Sequence, residues 1–256
     1  MERQPDYRPS PLSKSSDAAP EGAAGGPAAI APLIGTLGER SLHARLKRLY
    51  AKPGDKVEER VAGYWVDICR GEDVIEIQTG SFGNMKRKLT EVLATRSVLI
   101  VHPVAVEKWI TKVKADGTTL VSRRKSPKRG SPYDLFDELV SFPQFFLNPR
   151  FSVEVVLVKE EELRCEDGKG SWRRKGTSIR DHLLLDVAGI HVFRAPKDFL
   201  KLLPAGWAGP STNRELAKAL KQPYFRIARM TYCLTRMELI RKVGKQGNSA
   251  LFEPVA

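Results

Sequence analysis

Cysteine is scarce in this chain: Cys69, Cys165 and Cys233 are the three among 256 residues. Odd in number and far apart, they suggest neither a disulfide framework nor a CxxC metal site, and a reducing compartment fits them. Long apolar runs are also missing. None approaches the roughly 18 residues that a bilayer-spanning helix needs, and the N-terminus lacks a basic-then-apolar signal pattern, so the expectation is a soluble, cytoplasmic protein with no membrane partner. Acid is in short supply: 43 Lys and Arg stand against 30 Asp and Glu, a net charge of +13. Such an excess concentrates polyanions in a salt-sensitive way, which makes nucleic acid the leading candidate partner. Apolar residues make up 41% of the chain, enough for one large or two medium domains with cores of their own.

Residues 1–36 are rich in Pro, Ala, Gly and Ser and carry a net charge of −1. They bury too little apolar surface to offset ordering entropy and are expected to form a disordered arm, leaving the positive excess to the remainder.

The stretch around which the remainder is organised is Val66–Gln78, VDICRGEDVIEIQ. With a period of two it predicts a strand that turns Asp67 away from Val66 and Ile68, a tight RGED turn, and a second strand with Glu76 and Gln78 on one face. Two neighbouring carboxylates repel, so a divalent cation or a shared proton between them is one reason for the pattern. A solvent-facing hairpin with ordinary alternation is the other. Before it, ERSLHARLKRLY predicts a helix with Leu42, Leu46, Leu49 and Tyr50 on one stripe, closed by Pro53 and Gly54. Glu39 shares that stripe, either because acids suit a helix N-terminus or because it reaches toward Asp67 and Glu76. His43 reads as a satisfied core histidine rather than a ligand. After the hairpin, NMKRKLTEVLAT predicts a helix with Met85, Leu89, Val92 and Leu93 inward, and SVLIVHPV a buried strand.

The order helix with Glu39, strand with Asp67, strand with Glu76-Ile77-Gln78, helix, strand resembles the core of the PD-(D/E)xK superfamily, the restriction-endonuclease-like nucleases, over about residues 38–104. The resemblance implies a mixed α/β fold and a Mg²⁺ (or Mn²⁺) ion held by Asp67, Glu76 and the main-chain carbonyl of Ile77, with Glu39 assisting. Phosphodiester hydrolysis needs a hard cation on oxygen ligands, which these residue types supply. Gln78 stands where the family usually has Lys; it can orient a water by hydrogen bonds but brings no charge. A catalytically silent DNA-binding descendant therefore stays open.

Farther along, Val106–Val113 and Thr118–Val121 predict a hairpin, followed by SRRKSPKRG, where Arg123, Arg124, Lys125, Lys128 and Arg129 put five cations in seven positions. Interspersed Pro and Ser suggest a mobile loop suited to phosphates, although such runs are usually only solvated faces. A helix around Tyr133–Val140, a strand Ser152–Lys159 and a second basic loop with Lys169, Trp172, Arg173, Arg174 and Lys175 follow. Trp172 either stacks on a base or covers its loop.

Past an apolar segment at 181–193 and the linker PAGWAGP, Thr212-Asn213-Arg214-Glu215 is a capping box opening a helix with Leu216, Ala217 and Leu220 inward. A KQPYF break leads to a second helix with Ile227, Met230, Leu234 and Met237 at helical spacing, and GKQGN predicts a hairpin. On the ELAKAL opening and the GKQGN wing, residues 205–255 resemble the winged helix-turn-helix family. By that resemblance Arg226, Arg229 and Arg236 face DNA, while Lys242 and Lys245 meet phosphates.

The expectation is thus an arm at 1–36, an endonuclease-like domain at 37–204 and a winged helix at 205–256, acting as a Mg²⁺-dependent DNA endonuclease. A catalytically inactive DNA-binding regulator and a transposase-associated nuclease subunit are the alternatives. Cutting opposite strands would call for two sites and hence a homodimer.

Overall fold

A computed structural model describes residues 41–255, so the expected arm at 1–36 and Glu39 lie outside the described residues. The chain is mixed α/β. Helix α1 (Leu42–Tyr50) leads into an antiparallel meander of β1 (Lys56–Val61), β2 (Tyr64–Arg70) and β3 (Asp73–Ile77); helix α2 (Lys86–Val92) then crosses to β4 (Ser97–Lys114), parallel to β3. Strand β5 (Leu120–Lys125), helix α3 (Leu135–Leu139) and the long strands β6 (Phe151–Glu166) and β7 (Ser178–Phe193) complete a seven-stranded mixed sheet in the order β1-β2-β3-β4-β6-β7, with β5 on β4.

Local chemistry explains the elements that were expected. Ser41 caps α1 by accepting from the Ala44 amide at 3.2 Å, and Leu42, Leu46 and Tyr50 are buried as their spacing requires, whereas Leu49 is exposed. In α2 and its flanks, Met85, Leu89, Val92 and Leu93 all face the core. The C-terminal part holds β8 (Ser211–Thr212), α4 (Asn213–Leu220), α5 (Tyr224–Arg236) and a hairpin of β9 (Ile240–Gln246) and β10 (Ser249–Pro254). Its capping box forms as expected: Thr212 Oγ1 accepts from the Glu215 amide, and the Glu215 carboxylate accepts from the Thr212 amide at 2.7 Å.

Two expectations changed. SVLIVHPV and Val106–Val113 are not two strands but one, β4, of 18 residues. The basic segment is not a loop throughout either, because Arg123, Arg124 and Lys125 belong to β5, paired antiparallel with Trp109–Thr111.

Strand β6 pairs with β4 from Val98 to Lys114, occupying one edge for nearly its whole length. Strands β3 (opposite Ser97–Val101) and β5 (opposite Trp109–Val113) must therefore share the other edge in series, leaving a gap at residues 102–108. Pro103 sits in that gap. The carbonyls of Val101 and Ala105 point to this edge, accepting from the Gln78 and Gly130 amides, so the N–H that Pro103 lacks would have faced it too. A bulge between Ala105 and Glu107 then switches the alternation, and Lys108 presents its carbonyl to Ser126.

The core lies under the sheet around an aromatic cluster. Phe199 stacks on Phe193 at 4.3 Å between centroids and meets Phe146 edge-on at 4.8 Å, while Phe151 contacts Phe142, Phe145 and Phe146. Leu216, Ile227, Met230, Leu234 and Met237 belong to the same cluster, so the core is continuous across the boundary expected at residues 204 and 205. Phe199→Ala is accordingly expected to cost about 3–5 kcal/mol. Urea unfolding followed at once by far-ultraviolet circular dichroism and tryptophan fluorescence should show coincident transitions; a C-terminal part that melts separately would contradict a shared core.

Candidate functional site

Strands β2 and β3 pair as far as Ile68 with Ile75, and Asp67 and Glu76 are the next residues beyond that pairing, one on each strand. Flanking Ile68, Ile75 and Ile77 are buried, and the two carboxylates are met by different helices, Asp67 by α1 and Glu76 by α2. Each is claimed by its surroundings. Asp67 Oδ2 accepts from the Ile77 amide at 2.8 Å, His43 Nε2 lies 3.3 Å from the carboxylate, and Lys47 Nζ lies 3.5 Å from Oδ1. On Glu76, Oε1 takes the Lys88 ammonium at 2.5 Å, while Oε2 is buried and has no hydrogen-bond partner among the described residues.

Their protonation diverges as coupled neighbours should. Burial alone would raise Asp67, but His43, the Ile77 amide and Lys47 outweigh it and hold the carboxyl below its usual range. For Glu76 burial dominates; Lys88 offsets only part, the Asp67 charge opposes ionisation further, and the carboxyl sits above its usual range. The hydrogen bond to Asp67 raises His43.

Gln78 follows just beyond β3. Its Nε2 donates to the Ser81 carbonyl at 2.7 Å, and its own carbonyl accepts from His102 Nδ1 at 2.8 Å. Because a carbonyl only accepts, Nδ1 carries the proton; burial lowers the pKa of this histidine, so Nε2 keeps a free lone pair. His102 and His43 line a cavity of about 550 Å³ that opens over the gap in the edge of β4, with Lys108, Lys128, Glu160 and His182 also on its walls. Gly130 closes one side, where a Cβ would come within 2.5 Å of Val104 Cγ1.

The expected phosphate contacts divide. Arg123 pairs with the buried Glu161 and lies over the Trp109 ring at 4.3 Å, and Lys125 pairs with Glu107. Arg124, Lys128 and Arg129 are exposed and make no ion pair among the described residues. In α5, Arg226 pairs with Asp134 and Asp137 and Arg229 with Asp137, which turns the first of them toward the protein; Arg236, Lys242 and Lys245 are exposed.

Four residues at the site were not singled out as members of it from the sequence: His43, Lys47, Lys88 and His102. A signal existed for Lys88, three after Met85 and four before Val92, on the stripe of α2 that faces the sheet. His43 and Lys47 stand four apart on α1, and that spacing aims them at one point.

Among the described residues, no three or more His, Cys, Asp or Glu side chains are grouped to hold a metal ion, and no helix is long and apolar enough to cross a membrane.

The family described as a domain of unknown function, DUF8091, matches residues 40–194, and the chain belongs to it. Those bounds enclose α1 to β7, and with them the carboxylate pair and the cavity. An uncharacterized protein of Treponema pallidum (strain Nichols) is 30% identical over 162 residues, 63% of this chain and 64% of that relative's length. No solved structure matches the chain.

The opposed shifts set a pH window. The contribution of His43 is complete below its ordinary value of 6.5 and is lost as pH rises through its raised folded value. That of Asp67 is present above 3.8 and is lost as pH falls through its depressed folded value. Thermal melts should therefore show stability declining on the alkaline side of 6.5, a step that His43→Gln removes; an unchanged profile in that variant would show that the ring does not gain charge from Asp67.

Proposed function

We propose that this protein is a metal-dependent DNA endonuclease of the PD-(D/E)xK kind, the class its sequence resembles. The observation that carries the reading is the carboxylate pair: Asp67 and Glu76 lie on adjacent strands, near enough for the Asp67 charge to oppose ionisation of Glu76, and one buried oxygen of Glu76 makes no hydrogen bond among the described residues. Around them the order α1-β1-β2-β3-α2-β4 follows the helix, meander, helix, strand sequence of that superfamily.

The donor set suits a magnesium-sized ion. Hard carboxylate oxygens are available from Asp67 and Glu76, Oε2 lacks a partner, and such an ion is commonly bound by one or two carboxylates with waters and substrate oxygens completing its shell. The Ile77 carbonyl would add a main-chain ligand. When bound, the ion would activate water and offset phosphate charge. The chain's own residues do the rest. Lys88 supplies beside Glu76 the positive charge that Gln78 does not, from a helix rather than from the strand. Gln78, its Nε2 held by Ser81, orients water through its amide oxygen. His43 and Lys47 keep Asp67 ionised. Backbone is gripped by Arg124, Lys128 and Arg129 and, on the C-terminal part that resembles a winged helix, by Arg236, Lys242 and Lys245.

One observation favours a second reading. Both carboxylates already carry cationic partners, Lys88 on Glu76 and Lys47 on Asp67, which is how a charge-balanced site that binds DNA without cutting it would look. The two separate by assay. With Mg²⁺ or Mn²⁺, wild-type protein should nick DNA, Glu76→Ala and Asp67→Ala should abolish nicking, and Lys88→Ala should slow it by about 10²- to 10³-fold, the cost typical of removing a preorganised charge-stabilising group. DNA affinity should stay within a few-fold in all three. Undiminished nicking by Glu76→Ala, or none by wild type on any DNA form, overturns the enzymatic reading.

A further inference from the structure

Strands β4, β6 and β7 continue well past the carboxylate pair. Val101 lies beside Ile77, and β4 runs on to Lys114, paired with Glu166 at the end of β6. At about 3.3 Å per residue this extension measures roughly 40 Å. Its end carries the loop of residues 167–177 between β6 and β7.

That loop is closed on itself. The Gly170 amide donates to the Gly176 carbonyl at 2.8 Å, and the Arg174 and Gly176 amides both donate to the Ser171 carbonyl. Gly170 packs so tightly that a Cβ there would lie 1.8 Å from the Thr177 carbonyl oxygen, and Gly176 adopts φ +77. On this fixed base Trp172 projects with 83% of its surface exposed, the most of any large hydrophobic residue described. It does not cover its loop. The Arg173 guanidinium stands 5.5 Å from the ring centroid, and Lys169, Arg174 and Lys175 are exposed around it. The neighbouring acid, Asp167, is occupied by the Ser178 hydroxyl and the Lys169 amide. Arg180 approaches from β7, its guanidinium beside the β4–β5 turn at Gly117.

We propose that this tip is a second nucleic-acid contact, in which Trp172 stacks on an unpaired base while the surrounding cations hold the flanking phosphates. An indole plane inside a cationic rim complements a strand whose bases expose π-faces and whose backbone is anionic. A paired duplex hides those faces, so the contact selects single-stranded or unpaired segments. The proposal rests on the nucleic-acid reading above but not on cleavage.

The test uses the full chain in EDTA, without turnover, and fluorescence anisotropy of a labelled single-stranded oligonucleotide beside a blunt duplex of the same sequence. Trp172→Ala should weaken single-strand binding by about tenfold, within the range for losing one base–aromatic stack, and leave duplex binding within twofold. Trp172→Phe should restore most of the loss, and Arg173→Ala with Lys175→Ala should flatten the salt dependence of both ligands. Equal single-strand binding by parent and Trp172→Ala, or no binding by the parent, overturns the proposal. So does Trp172-dependent binding to phosphatidylcholine–phosphatidylserine vesicles with single-strand binding unchanged, which would make the tip a membrane contact. Nicking that fails while Trp172 still governs single-strand affinity removes the nuclease and keeps this contact; nicking that survives with no Trp172 effect does the reverse.

Discussion

The structure depends on how one strand spends its two edges. Because β6 occupies one edge of β4 along almost its whole length, the meander and the β5 hairpin are forced onto the other edge, one after the other. The interval between them cannot be closed by backbone pairing, and unpaired main-chain groups in a sheet need water, a loop or a ligand. Here the segment after β5 crosses the interval with two amide donors, from Ser126 and Gly130, and leaves a cavity beside them. Strand β3 ends at the lip of that cavity. The placement follows the general tendency of open α/β sheets to form crevices beyond the carboxyl ends of parallel strands, and it sets Thr79, two residues past β3, on the cavity wall.

Charge is the second constraint. Two carboxylates on adjacent strands raise each other's cost of ionisation, and the fold answers by giving them unequal surroundings. Asp67 receives a histidine, a lysine and the Ile77 amide; Glu76 receives one lysine and a lesser contribution from the Asp67 amide, and its burial outweighs both. The same device recurs on β6. Glu160, Glu161 and Glu162 are consecutive and all buried, which period-two exposure would not allow on a one-sided sheet, and each is held by cations: Lys108 with His182, Arg123, and Arg164 with Lys108. Many of the basic residues counted in the composition are therefore committed to internal acids. Exposed cations remain elsewhere, among them those on the C-terminal hairpin, after β5 and at the distal tip.

What was legible in the sequence was whatever local chemistry decides. The stripe of α1, the alternation of β2 and β3 and the Thr212 capping box are set by residues within a few positions of one another. The length of β4 was not legible, because Pro103 and the polar residues after Ala105 read as an interruption; only the empty edge facing Pro103 makes a continuous strand tolerable, and that emptiness is a property of the sheet. For the same reason Arg123–Lys125 looked like a solvated loop: Glu161, the acidic partner of Arg123, is 38 residues away, and Glu107, that of Lys125, lies on the neighbouring strand. At the site itself the two carboxylates could be paired from alternation alone. The stripe of α2 turns Lys88 toward the sheet, but its contact with Glu76, and that of His102 with the Gln78 main chain, depend on how a crossover helix and the neighbouring parallel strand are placed.

The C-terminal helix pair puts charges that were expected to face DNA to a different use. In a free-standing helix-turn-helix the basic residues at the start of the second helix would be available to a groove. Here Arg226 is mostly buried against Asp134 and Asp137, beside a hydrophobic contact that joins Ile227 and Met230 to the core under the sheet. Removing one partner of a buried pair typically costs more than the pair contributes, so these arginines are better suited to fixing the position of α5 than to releasing it for another anion. With α5 anchored in this way, the β9–β10 hairpin is held at a set position relative to the carboxylate pair. Any polyanion that engages Lys242 and Lys245 therefore meets the rest of the surface in one geometry.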